Sequence, residues 1–344
     1  MAHSRRNLLS DKIVFGASRQ GSVTLPLNGL INKARLRITG TYSGIDGTLA
    51  AEFPQNILRS IIVKTTTGGN NAYAIPSKDL RIMNYLDKAG KVVQSASGGN
   101  FEMNLVLDRG ELLAIKDSDL PKDAKGNSLV NHPVLPMGGL TLAVIFANDS
   151  DITTGANTIL TATIEIELEE TPITVAELQR IYGLGLERYQ FPQVFVIGDV
   201  AVTLNSAPTK SIVPSTGNLK KRIIVVTSDG ATPPARTNAT VTELLLKNKQ
   251  TGQEPIPIDR TFATMQNEDK EEYNLATGLV GVGSLDIPKL ITNDGLGMRS
   301  WRFTDQLEID TLNAASGNIR IIEENKIVNV PEFEKGNILG VSFS

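Results

Sequence analysis

Cysteine is absent from the sequence, and with it go disulfides, thiolate metal sites and thiol nucleophiles. Stability must come from packing and association, and the same absence fits equally a chain folded in a reducing cytoplasm and one that meets harsh conditions later and avoids oxidation chemistry. Histidine is scarce as well, with His3 near the terminus and His132 in a proline-rich loop. A Ser-His-Asp triad or a histidine-based metal site would rest on His132 alone, so a hydrolase is disfavoured and neither a metal nor a cofactor is expected. Aromatic residues make up 5% of the chain and Trp301 is the sole tryptophan, which disfavours the stacking platforms of sugar-binding or single-strand-binding barrels. Trp301 is expected to fill the core of the second domain. Charge of one sign is also lacking: 34 Lys and Arg stand against 37 Asp and Glu, a net of -3. A surface devoted to gripping nucleic acid is strongly basic, so no sequence-specific nucleic-acid partner is expected. No run approaches the roughly 18 apolar residues of a membrane span. Met1 to Asn7 lack the apolar core of a signal peptide, so neither secretion by that route nor insertion is expected.

What the chain does contain is strands. Its 344 residues suggest about two domains at roughly 150 residues each. Period-two runs rich in β-branched residues open with Ser22–Leu25 and Ala34–Thr39, then recur at Ile57–Thr65, Ala72–Ile75, Phe101–Leu107, Leu112–Ile115, Leu140–Phe146 and Leu160–Leu168. Thr161 to Leu168 puts apolar side chains on one face and threonines and acids on the other, the pattern of a sheet solvated on one side. Thr174-Val175-Ala176-Glu177 reads as a capping box opening a short helix to about Tyr182, stopped by Gly183 and Gly185. Beyond this connector, strands resume at Val194–Ile197, Val200–Leu204, Arg222–Thr227, Val241–Lys247, Glu254–Ile258, Leu279–Leu285, Trp301–Asp310 and Asn318–Glu323. Long loops, Lys116–Gly139, Asn205–Asn218 and Ser228–Asn238, are natural places for contacts with other molecules.

A faint repeat links the halves. Ile61-Ile62-Val63-Lys64 aligns with Leu244-Leu245-Leu246-Lys247 at a spacing of 183 residues, and the same spacing pairs Gly69 with Gly252 and Ile75 with Ile258. A short helix is expected after each hairpin, the first capped by Ser77 and carrying Leu80, Met83, Tyr85 and Leu86, the second following Asp259 and carrying Phe262 and Met265.

Features suggestive of chemistry are weak. Gly278-Leu279-Val280-Gly281-Val282-Gly283 lacks the lysine and hydroxyl residue of a phosphate-binding loop and reads as a strand made thin by glycines. Asp117-Ser118-Asp119 and Asp149-Ser150-Asp151 lack the twelve-residue calcium loop with its terminal Glu, and read as turns. Glu165 and Glu167 share a strand face without a pocket to separate their acidities, so a solvated face is expected rather than a pair of glycosidase acids. The N-terminal segment combines Arg5, Arg6 and Lys12 with Leu8, Leu9, Ile13 and Val14, a composition suited to an anionic membrane surface or a neighbouring subunit.

Two strand-rich halves of similar length, with the hairpin and helix from Pro54 to Leu86 echoed after Asn238, resemble the double jelly-roll major capsid proteins of tailless icosahedral viruses of bacteria and archaea. The resemblance covers about residues 14–344 and is less marked after Leu275. It implies an all-β fold of two tandem eight-stranded jelly rolls with short flanking helices: an N-terminal arm (1–13), a first jelly roll (14–172), a connecting helix (173–190) and a second jelly roll (191–344). It also implies a non-enzymatic shell protein, made in the host cytoplasm. Such a chain forms homotrimers that stand as pseudo-hexamers in a virion around an internal membrane, alongside other capsid proteins such as a vertex protein. Arg5, Arg6, Leu8, Leu9 and Lys12 would then touch the membrane or the next capsomer. The other readings are a two-module β-sandwich that binds carbohydrate or belongs to a virion spike or tail, which should show exposed aromatic rows or convergent acids, and a β-sandwich hydrolase centred on His132.

Overall fold

The computed structural model describes residues 5–25, 30–43, 47–65, 71–87, 94–108, 140–155, 159–171, 193–204, 209–213, 219–248, 259–286, 307–326, 337–338 and 341–342. The connecting helix expected at Thr174–Tyr182, the strands at Leu112–Ile115 and Glu254–Ile258, the triplet Asp117–Asp119, and His3, His132 and Trp301 lie outside the described residues.

In the first half the strands are β1 (Arg5–Leu8), β2 (Ile13–Val14), β3 (Gln20–Leu25), β4 (Leu30–Ser43), β5 (Leu58–Thr65), β6 (Asn71–Ile75), β7 (Gln94–Ser97), β8 (Asn100–Asp108), β9 (Leu140–Phe146) and β10 (Ile159–Thr171). In the second they are β11 (Gln193–Val202), β12 (Thr209–Val213), β13 (Leu219–Ser228), β14 (Val241–Asn248), β15 (Asp259–Thr261), β16 (Val282–Asp286), β17 (Leu307–Asn313) and β18 (Gly317–Lys326). One sheet of the first half runs β1-β10-β4-β8-β7, and the strands β3-β9-β5-β6 form the other. The second half repeats this with β11-β18-β13-β16 and β12-β17-β14-β15. Treating β1 and β2 as one interrupted strand and β7 as an addition beyond β8, each half pairs its first, eighth, third and sixth strands in one sheet and its second, seventh, fourth and fifth in the other. That interleaving is the jelly roll, observed twice.

Eight strands per half were expected, but their membership differs from the expectation. The segment read as an arm supplies the first strand: Arg5↔Glu170 to Leu8↔Glu167 form an antiparallel ladder with β10, and Ile13 and Val14 pair with it further along. No alternation marks this strand, because only Ile13 of the pair turns into the core, at 3% exposure. Val194–Ile197 and Val200–Leu204 are one strand, interrupted by a register shift between Ile197 and Val200. The loop Asn205–Asn218 contains β12, which pairs with β17 from Thr209↔Thr311 to Val213↔Leu307.

The repeat is present with a changed spacing. Strands β5 and β14 have equal length and keep the spacing of 183 (58 to 241). Across the hairpin Ile61 faces Ile75 whereas Leu244 faces Arg260, so the spacing grows to 185 (75 to 260) and Ile258 is not the counterpart of Ile75. Helices α1 (Ser77–Leu86) and α3 (Phe262–Glu272) keep 185 (77 to 262). Two extra residues between the strands account for the step. The caps also differ from expectation. Pro76 precedes α1, and the Ser77 hydroxyl instead donates to the Gln55 and Leu58 carbonyls, the former at 2.5 Å, and accepts from the Leu58 amide. Thr261, not Asp259, caps α3 by accepting from the Thr264 amide at 3.2 Å.

The halves join as one continuous eight-stranded sheet, because β6 pairs parallel with β11 through Val194↔Tyr73 and Phe195↔Ala74. One face of β13 and β18 covers the second core with Ile223, Val225, Ile319 and Ile321, while Ile224, Val226 and Ile322 belong to the first core. Both faces are therefore covered, which explains the uninterrupted apolar run Ile223-Ile224-Val225-Val226. Ion pairs fasten α1 and its neighbourhood to this sheet. Arg320 donates to Asp79 at 2.6 and 3.0 Å, Arg222 holds Asp87 at 2.6 and 2.9 Å and Glu324 at 2.8 Å, and Arg236 reaches Glu52 at 2.6 Å. Burial pushes the fully enclosed Asp79 carboxyl above its ordinary range, and Arg320 pulls it part of the way back.

The glycine run holds α3 against β16. Gly281 has φ +66°, a conformation other residues adopt at a cost, and a Cβ on Gly283 would stand 3.0 Å from the Met265 side chain and 3.2 Å from Phe262. Beside it Asp269 accepts from the Ser284 amide at 2.8 Å and from the Ser284 hydroxyl. Burial raises the Asp269 carboxyl to about 6, against the lowering effect of those bonds and of Arg222.

Three outcomes follow for stability measured by urea unfolding. Replacement Asp79→Ala, which takes from the buried Arg320 the carboxylate it donates to twice, is expected to cost about 3–5 kcal/mol, and the double variant Asp79→Leu/Arg320→Met to recover much of that loss. Because the folded Asp269 has its pKa raised from 3.8 to about 6, its contribution is full below the lower value and is lost as pH rises through the upper. That loss is about 3 kcal/mol. Asp269→Asn should remove this component, so the variant gains on the natural chain between pH 4 and 7. Deleting residues 1–12 removes β1 and bares the edge of β10, so its unfolding midpoint should fall rather than stay unchanged.

Candidate functional site

Residues singled out at the N-terminus come together with the outer face of the first sheet. Side chains of Arg35 and Arg37 on β4 project there opposite Glu165, Glu167 and Glu169 on β10, since alternate strand residues share a face and the ladder sets Arg37 beside Glu165 and Arg35 beside Glu167. The result is a lattice of alternating charge. Lys12 meets Glu165 at 2.5 Å, Arg37 meets Glu102 at 3.1 Å and Glu165 at 3.8 Å, and Arg35 meets Glu169 at 3.2 Å and Glu167 at 3.5 Å. Arg6 joins at the edge, 3.7 Å from Glu167. The Lys12 hydrogen bond, its charge and that of Arg37 hold the Glu165 carboxyl below its ordinary range. An open depression of about 300 Å³ lies on this face, lined among others by Leu8, Arg35, Arg37, Asn104, Glu165 and Glu167.

The five N-terminal residues thus divide. Arg5 lies in β1, Arg6 and Lys12 have their charge offset within the chain, and Leu9 packs against the first core. Leu8 is 62% exposed, and Val14, on the next short strand, is 61% exposed. Sequence reasoning recognised the residue types but not their partners, since the matching acids lie more than 150 residues away.

Elsewhere the weak chemical candidates become structural. Asp149-Ser150-Asp151 is the helical turn α2 (Asp149–Ile152), in which Asp151 accepts from the Asn148 amide at 2.9 Å and Asp149 pairs with Arg19 at 2.9 Å. Among the described residues no group of three or more His, Asp or Glu is placed to hold a metal ion, and no helix is long and apolar enough to cross a membrane. Glu165 and Glu167 lie in the charge lattice and not in an enclosed pocket.

No protein-family model matches the chain, and no curated protein is similar to it in sequence. Solved structures are similar to it over nearly its whole length. The major capsid protein of STIV shares 18% identity, with 97% of this chain and 98% of that chain covered and a TM-score of 0.71. A chain of the atomic structure of Sulfolobus Turreted Icosahedral Virus shares 19% identity over 96% of this chain and 92% of that chain, with a TM-score of 0.70. The major capsid protein P2 of bacteriophage PM2 shares 14% identity over 96% and 99%, with a TM-score of 0.51. Two interleaved sandwiches in tandem, matched end to end by these structures, give this chain a double jelly-roll fold like that of the STIV and PM2 major capsid proteins.

Proposed function

We propose that this chain is a major capsid protein, without catalytic role, that trimerises into pseudo-hexameric capsomers tiling an icosahedral virion shell. The observation that carries this reading is the end-to-end correspondence with the STIV major capsid protein, 97% of one chain against 98% of the other. Both sandwiches, and not one shared module, enter the match. A capsid of one protein needs flanks that meet copies of the same protein, and upright packing of two rigidly joined sandwiches provides them. A net charge of -3 suits many copies packed side by side, since strong like charge would oppose assembly.

The chain divides in this reading into jelly rolls at 14–172 and 191–344, with 173–190 between them and the N-terminal strand completing the first. The partners are other copies, a vertex protein and, around an enclosed membrane, lipid. Of the two contacts expected for Arg5, Arg6, Leu8, Leu9 and Lys12, the neighbouring copy is favoured, because Arg6 and Lys12 already face Glu167 and Glu165 and so attract an anionic surface weakly. The cell or virion compartment follows from the same reading: synthesis in the host cytoplasm and residence in the shell.

Light scattering of the purified 37.1 kDa chain is expected to give the mass of three chains, and negative-stain images a six-lobed outline. A stable monomer at concentrations used for assembly would overturn the proposal.

A further inference from the structure

The internal repeat places corresponding strand edges at two positions, and among the described residues one of the two pairs of edges is joined within the chain. Inside the chain, the fifth strand of the first half, β6, pairs with the first strand of the second half, β11. The corresponding strands at the other ends are β15, the fifth of the second half, and β1, the first of the first half. Among the described residues β15 pairs only with β14, and β1 only with β10, so each is the open edge of its sheet. An open edge offers unpaired backbone donors and acceptors to another chain.

The surfaces flanking these edges correspond as well. Helix α1 is buried on both sides: Asp79, Leu80, Ile82, Met83 and Leu86 are all enclosed, and its far side lies on the outer face of β13 and β18 through Asp79–Arg320 and Asp87–Arg222. Its counterpart α3 buries only Phe262, Met265 and Asp269, leaving Ala263, Thr264, Asn267 and Glu271 exposed on its outer side. At the spacing of 185, Glu272 occupies the place of Asp87 (87 to 272). In the first half the third and eighth strands, β4 and β10, present Arg35, Arg37, Glu165 and Glu167 and the open depression, where β13 and β18 in the second half carry Arg222 and Arg320 against α1. Arginine on the third strand meets an acid at the end of the helix in the closed contact. The open surfaces carry the same residue types, Arg35 and Arg37 on the third strand and Glu272 at the end of the helix.

We infer that β15 and the outer side of α3 of one copy dock on β1 and the Arg35/Arg37 face of the next, repeating between copies the contact that joins the two halves within one. This rests on the trimeric reading above and names the surfaces it would use: three internal junctions alternating with three such contacts set six sandwiches in a ring. The closed contact includes apolar residues of the first core, whereas the open surfaces are predominantly polar and charged, which suits a junction formed after folding rather than during it.

The test uses the full-length double variant Arg6→Cys/Ala263→Cys. Both positions are exposed, and the chain has no other cysteine to react. Treatment with a short bismaleimide is expected to shift the denatured protein from monomer to covalent dimer and closed trimer, with no longer products, and the single variants should give neither. Hydrogen exchange of the natural chain should show amides at 5–8 and 259–261 gaining protection when trimers form. Trimers by light scattering that yield no cross-linked product and no added protection at those strands would overturn the inference and leave the trimeric reading standing. Monomers throughout would overturn both.

Discussion

Arginines buried against carboxylates at the junction of the two halves are the interaction on which the rest of the architecture depends. The parallel pairing of β6 with β11 is short, only two residue pairs, and by itself would let one sandwich pivot on the other. Arg320 and Arg222 help remove that freedom by holding Asp79 in the first turn of α1 and Asp87 at its end, beside Ile224, Val226 and Ile322, which pack into the first core. A buried ion pair contributes little net stability when compared with well-packed apolar side chains, yet a displaced partner leaves an uncompensated charge in the interior. The pairs therefore act on geometry: any arrangement that moves α1 off β13 and β18 takes from the buried Arg320 and Arg222 the carboxylates of Asp79 and Asp87. Arg222 remains charged under all ordinary conditions; burial acts to lower it, but Glu324 and Asp87 together keep it well above its usual range.

Once the halves are locked, the central sheet has no free face in its second part, and its strands become apolar on both sides. The outer sheet of the first half stays open and shows the opposite solution, a charge lattice in which each carboxylate has a basic neighbour on the adjacent strand. Exposed pairs of this kind contribute about 0–1 kcal/mol each, so the lattice does little for folding. Alternating charge of this kind resists unspecific sticking to other surfaces.

The same economy governs the helices. Each follows the hairpin of its half and covers the gap between sheets, but α1 has become a buried strut and α3 remains half exposed. Gly283 lets α3 approach β16 closely, and Asp269 ties it to Ser284, so the helix is fixed on its inner side whatever lies on the outer one. Two halves with the same strand order thus present unlike surfaces, and the difference lies in the side chains that meet at the junction.

Alternation in runs such as Thr161–Leu168 and Ala34–Thr39 was enough to mark most strands, and the order of hairpin and helix was enough to expose the repeat, because side-chain period and turn chemistry are local properties of the chain. Strand β1 escaped notice since its evidence is a ladder to residues 167–170, far away in sequence, and its own four residues carry no period. Strand β12 escaped for the same reason, hidden in a stretch read as loop. The partners of Arg6, Lys12 and Arg35, the register step from 183 to 185, and the clamp of Asp79 by Arg320 were likewise beyond the sequence. Local composition determined that this chain folds into two β sandwiches of about eight strands each. Which edges stay open, which charges meet and how the halves are joined were decided only in three dimensions, because those depend on contacts between residues that the chain itself keeps far apart.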